Sequence, residues 1–187
     1  GAEAATEILR REGISDVKIV STRGMLSDHY NPVTKTLALS EEVYGSRSVA
    51  AVGVAAHEVG HAIQHASGYA PLWLRSFLVP TAKIGSSVGY IMMFLGLIIA
   101  SQGLVLLGAA FFSMVFLFQV VTLPVEFNAS SRAKAILVDQ GIINQSEKTG
   151  IDKVLNAAAM TYVAAAISTL MTLLYFLLRA GLLGGRR

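Results

Sequence analysis

Hydrophobic and polar positions divide this chain into stretches of different period. Near the start, "AEAATEILRREG" puts Ala5, Ile8 and Leu9 on one side of a helix and meets a stop signal at Gly13. "DVKIVST" alternates as a strand does, and "VTKTLALS" (Val33 to Ser40) does so again. Between them, "RGMLSDHYNP" carries loop chemistry at Gly24, Asp28, Asn31 and Pro32. The simplest reading is a strand pair, a short β-hairpin, followed by a helix. That helix begins near Ser46 or Ser48, either of which can cap it, and runs through "VAAVGVAAHEVGHAIQHA". It ends at Gly68, where a left-handed residue is expected. Its first turns of Ala, Val and Gly leave a surface that other helices can approach closely.

Beyond Gly68 the pattern changes. No Asp, Glu, Lys or Arg occurs from Ile84 to Val125, nor from Val154 to Leu178. One membrane span needs about 20 apolar residues, so the first run suffices for two spans and the second for one. Ser101-Gln102-Gly103 is the clearest polar break in the first run and predicts a tight turn. Lys83 to Ala100 and Leu104 to Leu123 then form a hairpin of helices, with Val154 to Leu178 as a third span. After the hairpin, "PVEFNASSRAKAILVDQG" regains polar patterning and reads as helix up to Gly141. Pro124 is expected to kink or restart that helix just before Glu126. "IINQSEKTGIDK" is a polar connection to the third span.

Composition agrees with this division. Hydrophobic residues make up 53% and charged residues 14%, against roughly 25% charged in ordinary soluble proteins. The expected fold is a mainly α membrane protein: three transmembrane helices plus a small α+β, zincin-like region with a short β-hairpin. Its segments are 1–75 (α+β region with the histidine helix), 76–125 (transmembrane hairpin), 126–152 (polar helix and connection) and 153–187 (third transmembrane helix and tail). The net charge of +3 is small, and no basic run is interleaved with aromatics, so nucleic-acid binding gains no support. The absence of cysteine excludes disulfides and thiolate metal sites. The chain begins at Gly1 rather than Met and reads as a trimmed or partial product.

Candidate chemistry concentrates in "AAHEVGHAIQH", Ala55 to His65. On a helix, residues i and i+4 share a face, so His57 and His61 can aim their imidazoles at one ion. Glu58 lies about 100° around the helix, placed to act as general base without coordinating. Zinc is the expected cofactor, one ion per chain. It lowers the pKa of its water to about 7, and Glu58 takes the proton as the water attacks a carbonyl. Two buried histidines beside a buried glutamate need partners, and a metal supplies one.

A catalytic zinc site has three protein ligands and an open position, so a third is required. The metzincin continuation is excluded, because Gln64 and Ser67 stand where it needs glycine and histidine. His65 drifts around the helix from the His57–His61 focus and is placed at the rim of the site. The acids after Glu58 are Glu126, Asp139, Glu147 and Asp152. Glu126 directly follows the uncharged run, where a carboxylate is costly unless paired or metal-bound. Because the hairpin goes out and back, Glu126 also returns to the side of the histidines.

"AAHEVGHAIQH", a membrane hairpin and "LPVEFNASSRA" together resemble the YugP-like neutral zinc metallopeptidases of bacterial membranes. "LSDHYNP", "LALSEEVY" and "VLNAAAMTYVAAA" fit that family too, so the resemblance spans nearly the whole chain. More distantly, the chain is similar to the CAAX-prenyl-protease and heat-shock-protease gluzincins. The resemblance implies a membrane-embedded zinc endopeptidase with His57, His61 and Glu126 as ligands and Glu58 as base. Members of that family carry a further membrane helix ahead of the first domain, which this chain is expected to lack. The distant group carries Asp four residues after its ligand Glu, whereas Ser130 stands there in this chain. A hydroxyl can accept an imidazole N–H without supplying a charge, and Asn128 is a candidate to share that role.

Stabilising a tetrahedral oxyanion needs a donor opposite the base, for which His29, Tyr30, Arg132 and Tyr162 are candidates. Asn156 is a candidate outer partner of the ligands. The strand Val33 to Ser40 is a candidate edge for an extended peptide substrate. Two alternatives remain: a site-2-type intramembrane protease using Asp139 of "LVDQG", and a non-catalytic membrane adaptor with structural zinc. Expected partners are a polypeptide substrate, the bilayer and an accessory membrane protein that delivers substrate. Arg75, Lys83, Arg132, Lys134, Lys148 and Lys153 on the catalytic side outnumber Arg179, Arg186 and Arg187 on the other. That bias favours a catalytic side in the cytoplasm, and the resemblance implies a multi-pass protein of the bacterial cytoplasmic membrane.

Overall fold

The computed structural model of the chain describes residues 1–183; Arg186 and Arg187 of the charge comparison lie outside them. In chain order its elements are helix α1 (Ala2–Arg11), strands β1 (Lys18–Thr22), β2 (His29–Asn31) and β3 (Thr36–Ser40), and helices α2 (Glu41–Tyr44) and α3 (Val49–Ala66). Helix α4 (Ala70–Ile84), a π-helical turn Gly85–Gly89 and helices α5 (Tyr90–Ile98), α6 (Gln102–Asp139) and α7 (Gln145–Arg179) complete the fold. Two compact units result: Gly1–Leu72 with Pro124–Met160, and Trp73–Leu123 with the chain from Thr161 onward.

In the first unit, α1 buries Ala5, Ile8 and Leu9, the face its spacing predicts. The helix is closed by Gly13 at φ +70°, with the Ile14 N–H bonded to the Leu9 carbonyl at 2.9 Å. Helix α3 starts where Ser48 caps it, the Ser48 hydroxyl accepting from the Ala51 N–H at 3.2 Å. It finishes before Gly68, at φ +64°. The core joins Ile8, Leu37, Leu39, Val59 and Ile63 to Leu137, Ile151 and Leu155 of the polar ends of α6 and α7.

The sheet has the order β1-β3-β2, with β1 parallel and β2 antiparallel to β3. The hairpin is therefore β2–β3, and β2 lies in a segment read from sequence as loop. Strand β3 is central, and Leu37, Ala38 and Leu39 are all buried. Both of its edges are paired, so it cannot receive a peptide as an added strand. The expectation for Val33 to Ser40 is corrected: a strand covered on both sides is a core strand, and the outer strands are β1 and β2.

In the second unit, Met93, Val105, Ala109, Leu173 and Phe176 form the buried centre. Glycines bring its helices close: a Cβ on Gly108 would lie 2.8 Å from the Gly89 carbonyl oxygen. The turn falls at Ile99–Ser101, earlier than its polar signal suggests, because the Ser101 hydroxyl faces the Leu104 N–H at 3.4 Å and starts α6 at Gln102. Helix α6 then continues through Pro124 without restarting. Residues 70–98, 102–139 and 145–179 form three stretches long and apolar enough to cross a membrane.

Candidate metal centre

Helix α3 and the polar end of α6 build the site. Val125, Glu126, Ala129, Ser130, Ala133 and Leu137 are buried at helical spacing, a face that α6 turns inward. Gly60 permits the contact: a Cβ there would lie 2.7 Å from the Ala129 carbonyl oxygen. A larger residue inside the histidine motif would push the two helices apart.

At this crossing the His57 Nε2 stands 3.1 Å from Glu126 Oε2, and the His61 Nε2 3.6 Å from the same oxygen. One ligand atom from each of His57, His61 and Glu126 falls within 4.8 Å of the others. Ligands about 2.0–2.1 Å from a tetrahedral zinc stand roughly 3.3–3.4 Å apart, so the pocket has nearly the right size. The two imidazoles meet edge to face at 83°, which lets both Nε2 atoms point inward. Glu126 is 1% exposed, a setting in which a carboxylate needs a cation or hydrogen-bond donors. Among the described residues, this is the one group of three or more His, Asp or Glu side chains arranged to hold a metal. The donor set and spacing fit zinc.

The outward nitrogens also have partners. His57 Nδ1 lies 3.2 Å from Ser130 Oγ, and His61 Nδ1 lies 3.0 Å from Gln64 Oε1. Gln64 Nε2 donates to the Val125 carbonyl at 2.8 Å and to Asn128 Oδ1 at 3.0 Å. Arg132 Nε donates to the same Asn128 oxygen at 2.8 Å. Glu58 is buried beside these groups. Burial raises its pKa; the charges of His61 and His57 oppose this, and those of Glu126 and Asp28 add to it. For His61, burial acts downward, but the nearby carboxylates of Glu126 and Glu58 outweigh it, so its pKa rises. The Glu58 shift reflects burial, and the His61 shift reflects the two carboxylates beside it.

In the first unit, His29, Tyr30, His65, Asn156 and Asp139 fall outside the metal-holding group. His29 is exposed on β2, with Nδ1 2.8 Å from the Ser27 carbonyl. The Tyr30 hydroxyl is 2.8 Å from His65 Nδ1, so these two residues pair with each other. Asn156 is exposed and accepts from Lys134 Nζ at 2.6 Å. Tyr162 belongs to the second unit. Asp139 is exposed at the end of α6, outside the metal-holding group. Gln64 is the participant that the sequence reading missed; its position three residues after His61, on the same helix face, was the available signal.

Over residues 1–181 the sequence matches the family described as "Putative neutral zinc metallopeptidase". It is 48% identical over 178 residues to the "Putative membrane protease YugP" of Bacillus subtilis (strain 168), an overlap covering 95% of this chain and 79% of that protein. No solved structure matches the chain.

Proposed function

The chain belongs to this zinc metallopeptidase family, and on that premise we propose that it is a membrane-embedded endopeptidase that cuts polypeptides close to the bilayer surface. The observation that carries the reading is the convergence of His57 Nε2, His61 Nε2 and the Glu126 carboxylate. His57, His61 and Glu126 would hold one zinc ion, which when bound supplies Lewis acidity for peptide hydrolysis. Glu58 takes a proton from the attacking water and hands it to the departing amide nitrogen, so that the bond opens to a carboxylic acid and an amine, which ionise to carboxylate and ammonium. Its burial favours this role, because a poorly solvated carboxylate is a stronger base than one in water. Proximity to the bilayer rests on Glu126 following the uncharged run by one residue. The surplus of basic residues beside the first unit supports a cytoplasmic catalytic side.

The test pairs two measurements on purified protein in detergent. Zinc per chain, read by mass spectrometry, is expected near one for the wild type and sharply lower for Glu126→Ala. Cleavage of a quenched fluorescent peptide library is expected to fall about 10²–10⁴-fold in Glu58→Gln, with its zinc retained. Zinc retained in Glu126→Ala would remove the third ligand. Unchanged cleavage in Glu58→Gln would remove the base.

A further inference from the structure

One side chain reaches both halves of the metal centre. Gln64 is 0% exposed and lies on α3, three residues beyond His61. Its amide contacts His61 on its own helix and Val125 and Asn128 on α6.

Simple donor and acceptor chemistry fixes the protons along this path. An arginine N–H can only donate, so Arg132 makes Asn128 Oδ1 an acceptor. A backbone carbonyl can only accept, so the Gln64 atom facing Val125 is its NH2 nitrogen. Both partners of that nitrogen are acceptors, and the two amide hydrogens serve them. Oε1 is therefore the atom that meets His61 Nδ1, and a hydrogen bond at 3.0 Å requires the proton on Nδ1. In the neutral ring that leaves Nε2 with its lone pair, on the side of Glu126. Moreover, the Val125 carbonyl belongs to the peptide unit whose nitrogen is that of Glu126. Its second lone pair can receive Gln64 in addition to its own helix bond.

We propose that Gln64 is a positioning residue of the metal centre: it holds His61 in the tautomer whose Nε2 can ligate, and ties that ligand to the peptide bearing Glu126. The inference rests on the metallopeptidase reading through His61 as a ligand. Gln64 touches neither metal nor substrate and acts through the two ligands. A residue that merely filled space would leave the imidazole free to take either tautomer.

The test uses the full chain in detergent and reads metal binding rather than turnover. With labelled histidine in metal-free wild type at alkaline pH, ring-nitrogen chemical shifts are expected to show His61 protonated on Nδ1. A proton on Nε2 would overturn the proposal. Zinc affinity, measured by competition with a chromophoric chelator, is expected to weaken about 10–100-fold in Gln64→Leu. The absorption spectrum of the cobalt-loaded variant should shift at the same time. A folded Gln64→Leu that binds zinc within about twofold of wild type, with an unchanged cobalt spectrum, would overturn it. Should that variant fail to fold, Asn128→Ala decides, because it removes one of the two anchors of the amide. Its expected loss is about 3–10-fold, and unchanged affinity overturns the proposal. A wild type that binds no zinc overturns both this inference and the reading beneath it, whereas a wild type that binds while Gln64→Leu binds equally well sinks this inference alone.

Discussion

The two units solve the same packing problem and then differ in the hydrogen bonds made near the crossing. Each brings two helices to backbone contact through glycine: Gly60 on Ala129 in the first, Gly89 with Gly108 in the second. In the first unit, the polar groups at the crossing reach across it, Ser130 to His57 and Gln64 to Val125. In the second, hydroxyls turn back onto their own helix: Ser113 donates to the Ala110 carbonyl, Thr122 to Phe118 and Thr172 to Ser168. Where the solvent is hydrocarbon, a hydroxyl satisfied within its own helix makes no demand on its surroundings. Where a metal must be held, cross-helix bonds give each ligand one orientation. Close approach by itself is therefore neutral; the polar wiring decides whether a crossing becomes a site.

The sharpest way to break this comparison is to wedge both crossings open. Gly60→Ala puts a methyl group 2.7 Å from the Ala129 carbonyl oxygen. Overpacking of this kind costs about 1–3 kcal/mol, and zinc affinity should fall about tenfold if the ligands share that strain. Gly108→Ala, whose Cβ would meet Met93 N at 2.6 Å, should lower thermal stability comparably while leaving zinc affinity near wild type. Equal zinc losses in the two variants would show that the crossings are not distinct in this sense. A smaller effect is expected of Ser130→Ala, which removes the hydroxyl paired with His57 Nδ1 without adding bulk. Chelator competition should find zinc bound about 3–10-fold more weakly, and no change would mean that His57 is held by packing alone. The smallest belongs to Thr172→Val in the second unit. Its hydroxyl serves only its own helix, so stability in detergent should move by less than about 0.5 kcal/mol. A large loss there would assign that hydroxyl a partner outside its helix.

Much of the site was legible because its signals are local or directional. His57 and His61 share a face by their spacing alone, and Glu126 stands out as the first charge after a long uncharged run. The membrane helices were legible for the same reason; at Pro124 the helix does not restart, because in an apolar helix the lost hydrogen bond does not end the element. Strand β2 is three residues long and sits among turn-forming residues, too short to impose a period. The central place of β3 was signalled by three successive apolar residues, Leu37 to Leu39, but pairing order is not written in one strand. Gln64 stayed hidden because its role depends on which backbone carbonyl crosses over it. That is a property of two helices distant in sequence.

The separation of the ligands in the chain has a consequence in time. His57 and Glu126 are 69 residues apart, and the whole uncharged run Ile84 to Val125 lies between them. A ribosome adding about 5–20 residues per second needs roughly 3–14 s to cross that interval. From His61 onward the nascent chain carries His57, Glu58 and His61 but not Glu126. The candidate metal centre is thus incomplete while the apolar segments are being made and is finished only after them. On the proposed reading, the order of synthesis keeps the site unfinished until those segments exist.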